Sequence, residues 1–278
     1  MAKIKPALVF AVSFVPVHLG AMLYLNSDKY MLEKFMSMEV VGIYTALSLI
    51  TTAIIVTLMG PIFDSFYPVI LKEKDNPAYE SAHKVLMIAM QLMALALVFT
   101  LSLLPKEATF IILGSKYLPH TLLIFGFLPI AFCQFLSQLL SYNFHLTNKI
   151  WLLAIFELSL ASINILLNLY LIPLFGLKGA IFASILTMGG KLILITLVGR
   201  KLLAHFSIPI RQLALTLLTV ILLSGIHYLC FDGGLVYRLI ILVCEYILLA
   251  IVFYQFLNHH APDKLNLYRQ KLRTFLKS

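Results

Sequence analysis

Glu157, Ala161, Asn164 and Asn168 recur at i, i+4, i+7 and i+11, and Ala180, Ser184, Thr187 and Lys191 repeat that spacing shortly afterwards. On α-helices each set forms one stripe. Together they supply an acid, a base, two amides and two hydroxyls, groups able to bind an anion and to exchange hydrogen bonds with a polyol. A tight turn near Pro173 to Lys178 joins the two stretches, so they should lie antiparallel. The pairs Asn168 with Ala180, Asn164 with Ser184, Ala161 with Thr187, and Glu157 with Lys191 are all centred on residue 174, inside that turn. This register puts the acid and the base at the same depth, and the small residues allow close helix approach.

Two readings follow. Glu157 and Lys191 form a buried pair that fixes the hairpin, or the stripe faces a water-filled cavity in which Lys191 binds an anion and Glu157 tunes it. Gly189-Gly190 loosens the helix just before the lysine. A second polar row, Cys133, Ser137 and Ser141 flanked by Gln134, Gln138 and Asn143, either glues helices together or offers amides and hydroxyls to sugar hydroxyls. His227 and Glu245 sit alone in their stretches and are expected to make interior hydrogen bonds. All of these lie in strongly apolar surroundings, where an ionisable group costs about 2.5 to 3.5 kcal/mol on insertion scales and therefore faces protein or water.

The elements that must carry these residues are membrane helices. Of the 278 residues 61% are hydrophobic and 12% charged, too few polar groups to coat a soluble fold of this size. A hydrocarbon core of about 30 Å needs about 20 helical residues, and each span must close its own backbone hydrogen bonds. Eight apolar stretches qualify: Ala7 to Leu25, Ala46 to Leu71, Val85 to Leu104, Leu118 to His145, Ile150 to Ile172, Gly179 to Val198, Ile208 to Phe231 and Leu235 to Leu257. The fold class is all-α, a polytopic membrane bundle of about eight transmembrane helices over residues 1–257. Residues 258–278 form a basic tail in which Leu265, Tyr268, Leu272, Phe275 and Leu276 recur at helical spacing, as in an amphipathic helix on a membrane surface. Asn76-Pro77 suggests a short helical connector between Lys72 and Lys84.

Lys3 and Lys5 precede the first stretch without a small-residue cleavage site after it, so an uncleaved span is expected rather than a secretory leader. Split by alternate connections, fourteen Lys and Arg residues fall on the side of both termini and six on the other. The positive-inside rule then places both termini in the cytoplasm. The net charge of +9 meets anionic headgroups on that face and needs no nucleic-acid partner. Cys133, Cys230 and Cys244 have no paired spacing and read as packing residues. Pro61 and Pro129 fall inside spans and should kink them. No nucleophile with an adjacent base and no metal-ligand spacing is evident, so neither an enzyme nor a metal or cofactor is expected.

Several segments taken in order resemble a known family. Asp28-Lys29-Tyr30-Met31-Leu32 with Val41-Gly42-Ile43-Tyr44 resembles the "D-R-Y-I-L … V-G-I-Y" stretch of bacterial polysaccharide flippases of the Wzx type, within the multidrug/oligosaccharidyl-lipid/polysaccharide exporter superfamily. Leu113-Gly114-Ser115-Lys116-Tyr117 resembles that family's "F-G-x-x-Y". Asn164 to Asn168, Ile172-Pro173, Gly176 and Gly179 to Ser184 resemble its "N-I-x-L-N … I-P-x-x-G-x-x-G-A-A-x-A-T". The resemblance spans the chain but only the family's C-terminal half, the second of two bundles around a central cavity. It implies a flippase, or half of one, that moves undecaprenyl-pyrophosphate-linked oligosaccharide across the bacterial cytoplasmic (inner) membrane for surface polysaccharide or lipopolysaccharide synthesis. It also implies an N-terminal half, a second copy or a polysaccharide polymerase as partner, besides membrane lipids. Lys191 would hold the pyrophosphate, and Glu157 or Glu245 would carry a coupling proton or sodium ion. A related drug or lipid-precursor exporter, a non-transporting scaffold and an integral envelope transferase are the alternatives.

Overall fold

The computed structural model describes residues 4–57, 59–62, 64–65, 79–147, 149–202, 210–229 and 233–260. Among these residues there are helices and no strands. The expected connector around Asn76-Pro77 and the amphipathic tail beyond residue 260 lie outside the described residues.

In chain order the helices are α1 (Ile4–Phe35), α2 (Met38–Thr52), α3 (Tyr79–Leu103), α4 (Pro105–Leu113), α5 (Ile124–Leu146), α6 (Ile150–Phe175), α7 (Leu177–Leu202), α8 (Ile210–Leu229) and α9 (Leu235–His260). Among the described residues, six helical stretches are long and apolar enough to cross a membrane: Met38–Ile62, His83–Leu103, Ser115–Phe144, Ile150–Phe175, Leu177–Lys201 and Leu235–Asn258. The chain is thus an all-α, multi-pass membrane protein. Eight qualifying spans were expected. Of the other two expected spans, Ala7 to Leu25 lies within the 32-residue α1, and the described part of Ile208 to Phe231 is the helix Ile210–Leu229, apolar over Leu215–Leu229.

The pattern of burial is that of a protein dissolved in lipid. Leu166, Tyr170 and Leu174 of α6, and Ile193 and Leu197 of α7, are exposed, whereas Asp28, Asn164, Asn168, Ser184 and Thr187 are buried. Surfaces of that kind are stable only against acyl chains or another apolar surface.

Two boundaries differ from the sequence expectation in ways that create the site. The apolar run of α1 ends at Leu25, yet the helix continues through Asn26 to Phe35, because that stretch contains neither Pro nor Gly. Ser37 then caps α2, its Oγ accepting from the Val40 N–H at 3.4 Å, so the second long helix begins at Met38 and not at Ala46. The turn over Ala53–Thr57, just before Pro61, is a π-helix, the kind of local widening favoured where a following proline lacks an N–H and its ring crowds the carbonyl four residues earlier. Pro129, by contrast, sits within a continuous α5. The irregular turn falls just before that helix, in the 3₁₀ segment Ser115–Leu123 that contains Pro119.

Among the described residues the most extensive helix–helix contact is α1 with α6; α7 covers α6 and α5, and α2 lies between α1 and α5. Helices α8 and α9 pack on α3, away from the α1–α6–α7 group. The α1–α6 crossing depends on Gly20. A Cβ there would fall 2.6 Å from Glu157 Cβ and 2.7 Å from the Glu157 carbonyl carbon, which is backbone and cannot rotate aside. Gly20→Ala should therefore destabilise the protein by about 1 to 3 kcal/mol, as overpacking does. Thermal unfolding of detergent-solubilised protein measures this, and an unchanged midpoint would show that the crossing is looser than described.

Candidate functional site

Asp28 is the centre of the largest buried polar cluster. It is 4% exposed, and both of its oxygens accept hydrogen bonds from neutral donors on three other helices. Asn168 Nδ2 of α6 donates to Oδ1 at 2.5 Å, while Ser184 Oγ of α7, at 2.6 Å, and Tyr44 Oη of α2 donate to Oδ2. One residue of α1 thereby ties together α2, α6 and α7. A second tier extends the network: Asn168 Nδ2 also donates to Asn164 Oδ1 at 2.9 Å, Ser27 Oγ donates to the same oxygen at 2.6 Å, and Asn164 Nδ2 reaches Thr187 Oγ1 at 3.3 Å. Asn168 Oδ1 is buried without a partner among the described residues. Among the described residues no ion pair neutralises Asp28, so the cluster holds an acid solvated by dipoles alone.

In the sequence Asp28 stood out only as part of the family-like segment Asp28 to Leu32, not as a candidate site residue. The stripe residues Asn164, Asn168, Ser184 and Thr187 do come together, but around this acid, and Ser184 bonds to Asp28 where the register paired it with Asn164. Farther along the same seam, Lys191 Nζ lies 2.5 Å from Glu157 Oε1, both side chains largely buried. The acid and base thus meet as the register required. Each already holds the other, and neither lines the cavity beside Asp28. That arrangement favours the packing role over anion binding by Lys191.

The cavity beside Asp28 encloses about 260 Å³ between α1, α2 and α5. Asp28, Lys29, Thr45, Ser48, Thr51 and Gln134 bring polar groups to its wall, and Phe127 closes one side. Gln134 is one of the lining residues; Gln138, one helical turn on, is exposed and lies near Gly60, outside this cavity.

Glu245 and His227 are not isolated. Glu245 Oε1 is 2.8 Å from His227 Nε2, and Ser102 Oγ is 2.6 Å from His227 Nδ1, a hydroxyl–imidazole–carboxylate string linking α3, α8 and α9. This corrects the expectation that no nucleophile has an adjacent base. Ser102 is nonetheless only 2% exposed and its Oγ sits 3.0 Å from the Phe99 carbonyl oxygen, so the string lacks access for a substrate carbonyl and serves as an interhelical tie. Glu245 Oε2 is buried without a partner among the described residues, and Glu245 borders an apolar groove of about 560 Å³ between α3, α8 and α9. Cys244 lines the same groove, while Cys133 is buried in the core as a packing residue would be. At the end of this group, Arg238 makes a two-pronged pair with Glu107 at 2.7 and 3.1 Å and also donates to the Leu103 carbonyl at 2.9 Å, clamping α9 to the α3–α4 junction. Among the described residues no three His, Cys, Asp or Glu side chains gather as a metal site requires.

Comparison with known protein families, with curated proteins and with solved structures gives no match.

Proposed function

We propose that this protein is a flippase-type transporter, or the second bundle of one, that moves a polyprenyl-linked oligosaccharide across the bacterial cytoplasmic membrane. The observation that carries this reading is the buried polar seam in which Tyr44, Asn168 and Ser184 converge on Asp28, inside helices whose outer faces are apolar. An inert anchor gains nothing from an uncompensated acid in lipid, whereas a carrier of a polar head needs such an interior. The ordered resemblance of the Asp28, Tyr44, Asn164–Asn168 and Gly179–Ser184 segments to the Wzx type supports the same reading. In it both termini are cytoplasmic, the substrate tail stays in the bilayer, and an N-terminal half, a second copy or a polymerase completes the assembly. Asp28 replaces Glu157 and Glu245 as the residue that answers a coupling proton, because Glu157 is neutralised by Lys191 and Glu245 is tied to His227, while Asp28 meets only neutral donors.

Deleting the gene should remove surface polysaccharide and accumulate its lipid-linked precursor in the inner leaflet. Surface polysaccharide at the wild-type level in the deletion strain, with no precursor accumulated, would overturn the proposal. The groove bordered by Glu245 favours a second reading, an exporter of amphiphilic drugs or lipid precursors, because its size and apolar lining suit such a body. Under that reading the deletion leaves polysaccharide intact and sensitises cells to lipophilic compounds.

A further inference from the structure

The cavity beside Asp28 has a hydrogen-bonding pattern that selects its ligand. Ser48 Oγ donates its hydrogen to the Thr45 carbonyl at 3.0 Å and Thr51 Oγ donates to the Ser48 carbonyl at 2.9 Å. Both hydroxyls therefore turn lone pairs, not hydrogens, toward the cavity they line. Asp28 accepts twice at Oδ2 and once at Oδ1, which leaves a carboxylate, with about four lone-pair sites, room for one more donor. This wall calls for a ligand with several closely spaced donors. Lys29 is the sole cation among the lining residues, and of its three N–H donors one reaches Asn26 Oδ1, at 3.3 Å; the Gln134 amide is the other N–H donor on the wall. Lys29 calls for an anionic acceptor. Its presence in the same space also opposes a metal cation, which would otherwise suit a wall of oxygen acceptors.

Size and shape narrow the class. A space of 260 Å³ corresponds to about nine waters at ~30 Å³ each, room for one sugar ring. Phe127, its ring edge-on to Tyr44 with centroids 5.1 Å apart, supplies apolar surface on one side of that space. From the turn between α1 and α2, Lys29 lies about 9 Å along its helix and Ser48 about 15 Å, at 1.5 Å per residue. The anionic end of the ligand would therefore sit nearer the membrane surface than its hydroxyls. The geometry points to a binding subsite for one monosaccharide unit bearing an anionic group, with Lys29 on the anion and Asp28, Ser48 and Thr51 accepting from ring hydroxyls. That the sugar arrives on a lipid rests on the transporter reading; the subsite itself does not.

The full chain in nanodiscs, titrated calorimetrically at constant sodium with hexose 1-phosphates, the parent hexoses and inorganic phosphate, tests this. At least one hexose 1-phosphate should bind ten-fold or more tightly than its parent hexose and than phosphate alone. Lys29→Gln should abolish that preference and Lys29→Arg should keep it, while Ser48→Ala weakens the sugar and its phosphate alike. Phosphate alone binding as well as the sugar phosphates, no binding of any hexose 1-phosphate, or a preference untouched by Lys29→Gln in protein of wild-type melting temperature would overturn the assignment. A prenyl-phosphate-linked hexose in the same nanodiscs distinguishes the two sources of the ligand. Displacement of the soluble compound makes the lipid headgroup the occupant. Binding that depends on Lys29 but resists displacement keeps the subsite and counts against the transport reading.

Discussion

Asp28→Ala is expected to lower stability by about 3 kcal/mol or more and to abolish transport. The substitution leaves Tyr44 Oη, Asn168 Nδ2 and Ser184 Oγ without their shared acceptor, and each unsatisfied buried donor costs about 1 to 3 kcal/mol. The two hydroxyls can rotate toward other acceptors and recover part of the loss, which sets the total near the lower end of the sum. The Asn168 amide cannot, because it is held between Asp28 and Asn164. Asp28→Asn separates structure from function. It preserves shape and one acceptor oxygen while removing the charge, so the protein should fold with a smaller penalty and still fail to export. Chemical denaturation and a surface-polysaccharide assay in the same strain read both quantities. Normal export by a folded Asp28→Asn protein would mean that the charge serves packing alone.

The second large effect concerns Glu157 and Lys191. Removing one member of a buried ion pair leaves an uncompensated charge and costs about 3 to 5 kcal/mol; with both side chains about a tenth exposed, Lys191→Ala should fall near 3 kcal/mol. Replacing both, as Glu157→Gln with Lys191→Met, removes the stranded charge and should restore the melting temperature to within a few degrees. Because the pair lies outside the cavity beside Asp28, the double variant should also export. A double variant that melts normally but does not export would return Lys191 to the transport machinery and contradict the packing role.

The seam was half legible in the sequence. Helical spacing alone grouped Asn164, Asn168, Ser184 and Thr187, and the tight turn fixed the depth at which Glu157 and Lys191 meet, because an antiparallel hairpin leaves little freedom in register. Asp28 escaped for a physical reason. Asp28, Lys29, Glu33 and Lys34 lower the local hydropathy enough to read as the end of a span, yet helix formation does not require an apolar surround. A signal was present in the spacing: Tyr24, Ser27, Asp28 and Met31 share one helical face, and Tyr24, Ser27 and Asp28 are all buried. The His227–Glu245 contact was hidden by a different limit. The two residues lie on neighbouring helices, but the third partner, Ser102, comes from α3, and no local pattern announces a contact across 125 positions.

The central claim is that the space between α1, α2 and α5 is a hydrated interior enclosed by a lipid-facing shell. Labelling of single cysteines by a small hydrophilic maleimide in native membranes tests it directly, with Cys133, Cys230 and Cys244 first replaced. Ser48→Cys, on the cavity wall, should react at least ten-fold faster than Leu166→Cys on the apolar exterior of α6, since a thiol ionises and meets the reagent only where water reaches it. If Ser48→Cys is as inert as Leu166→Cys, the cavity is dry and the polar seam is packing, not passage.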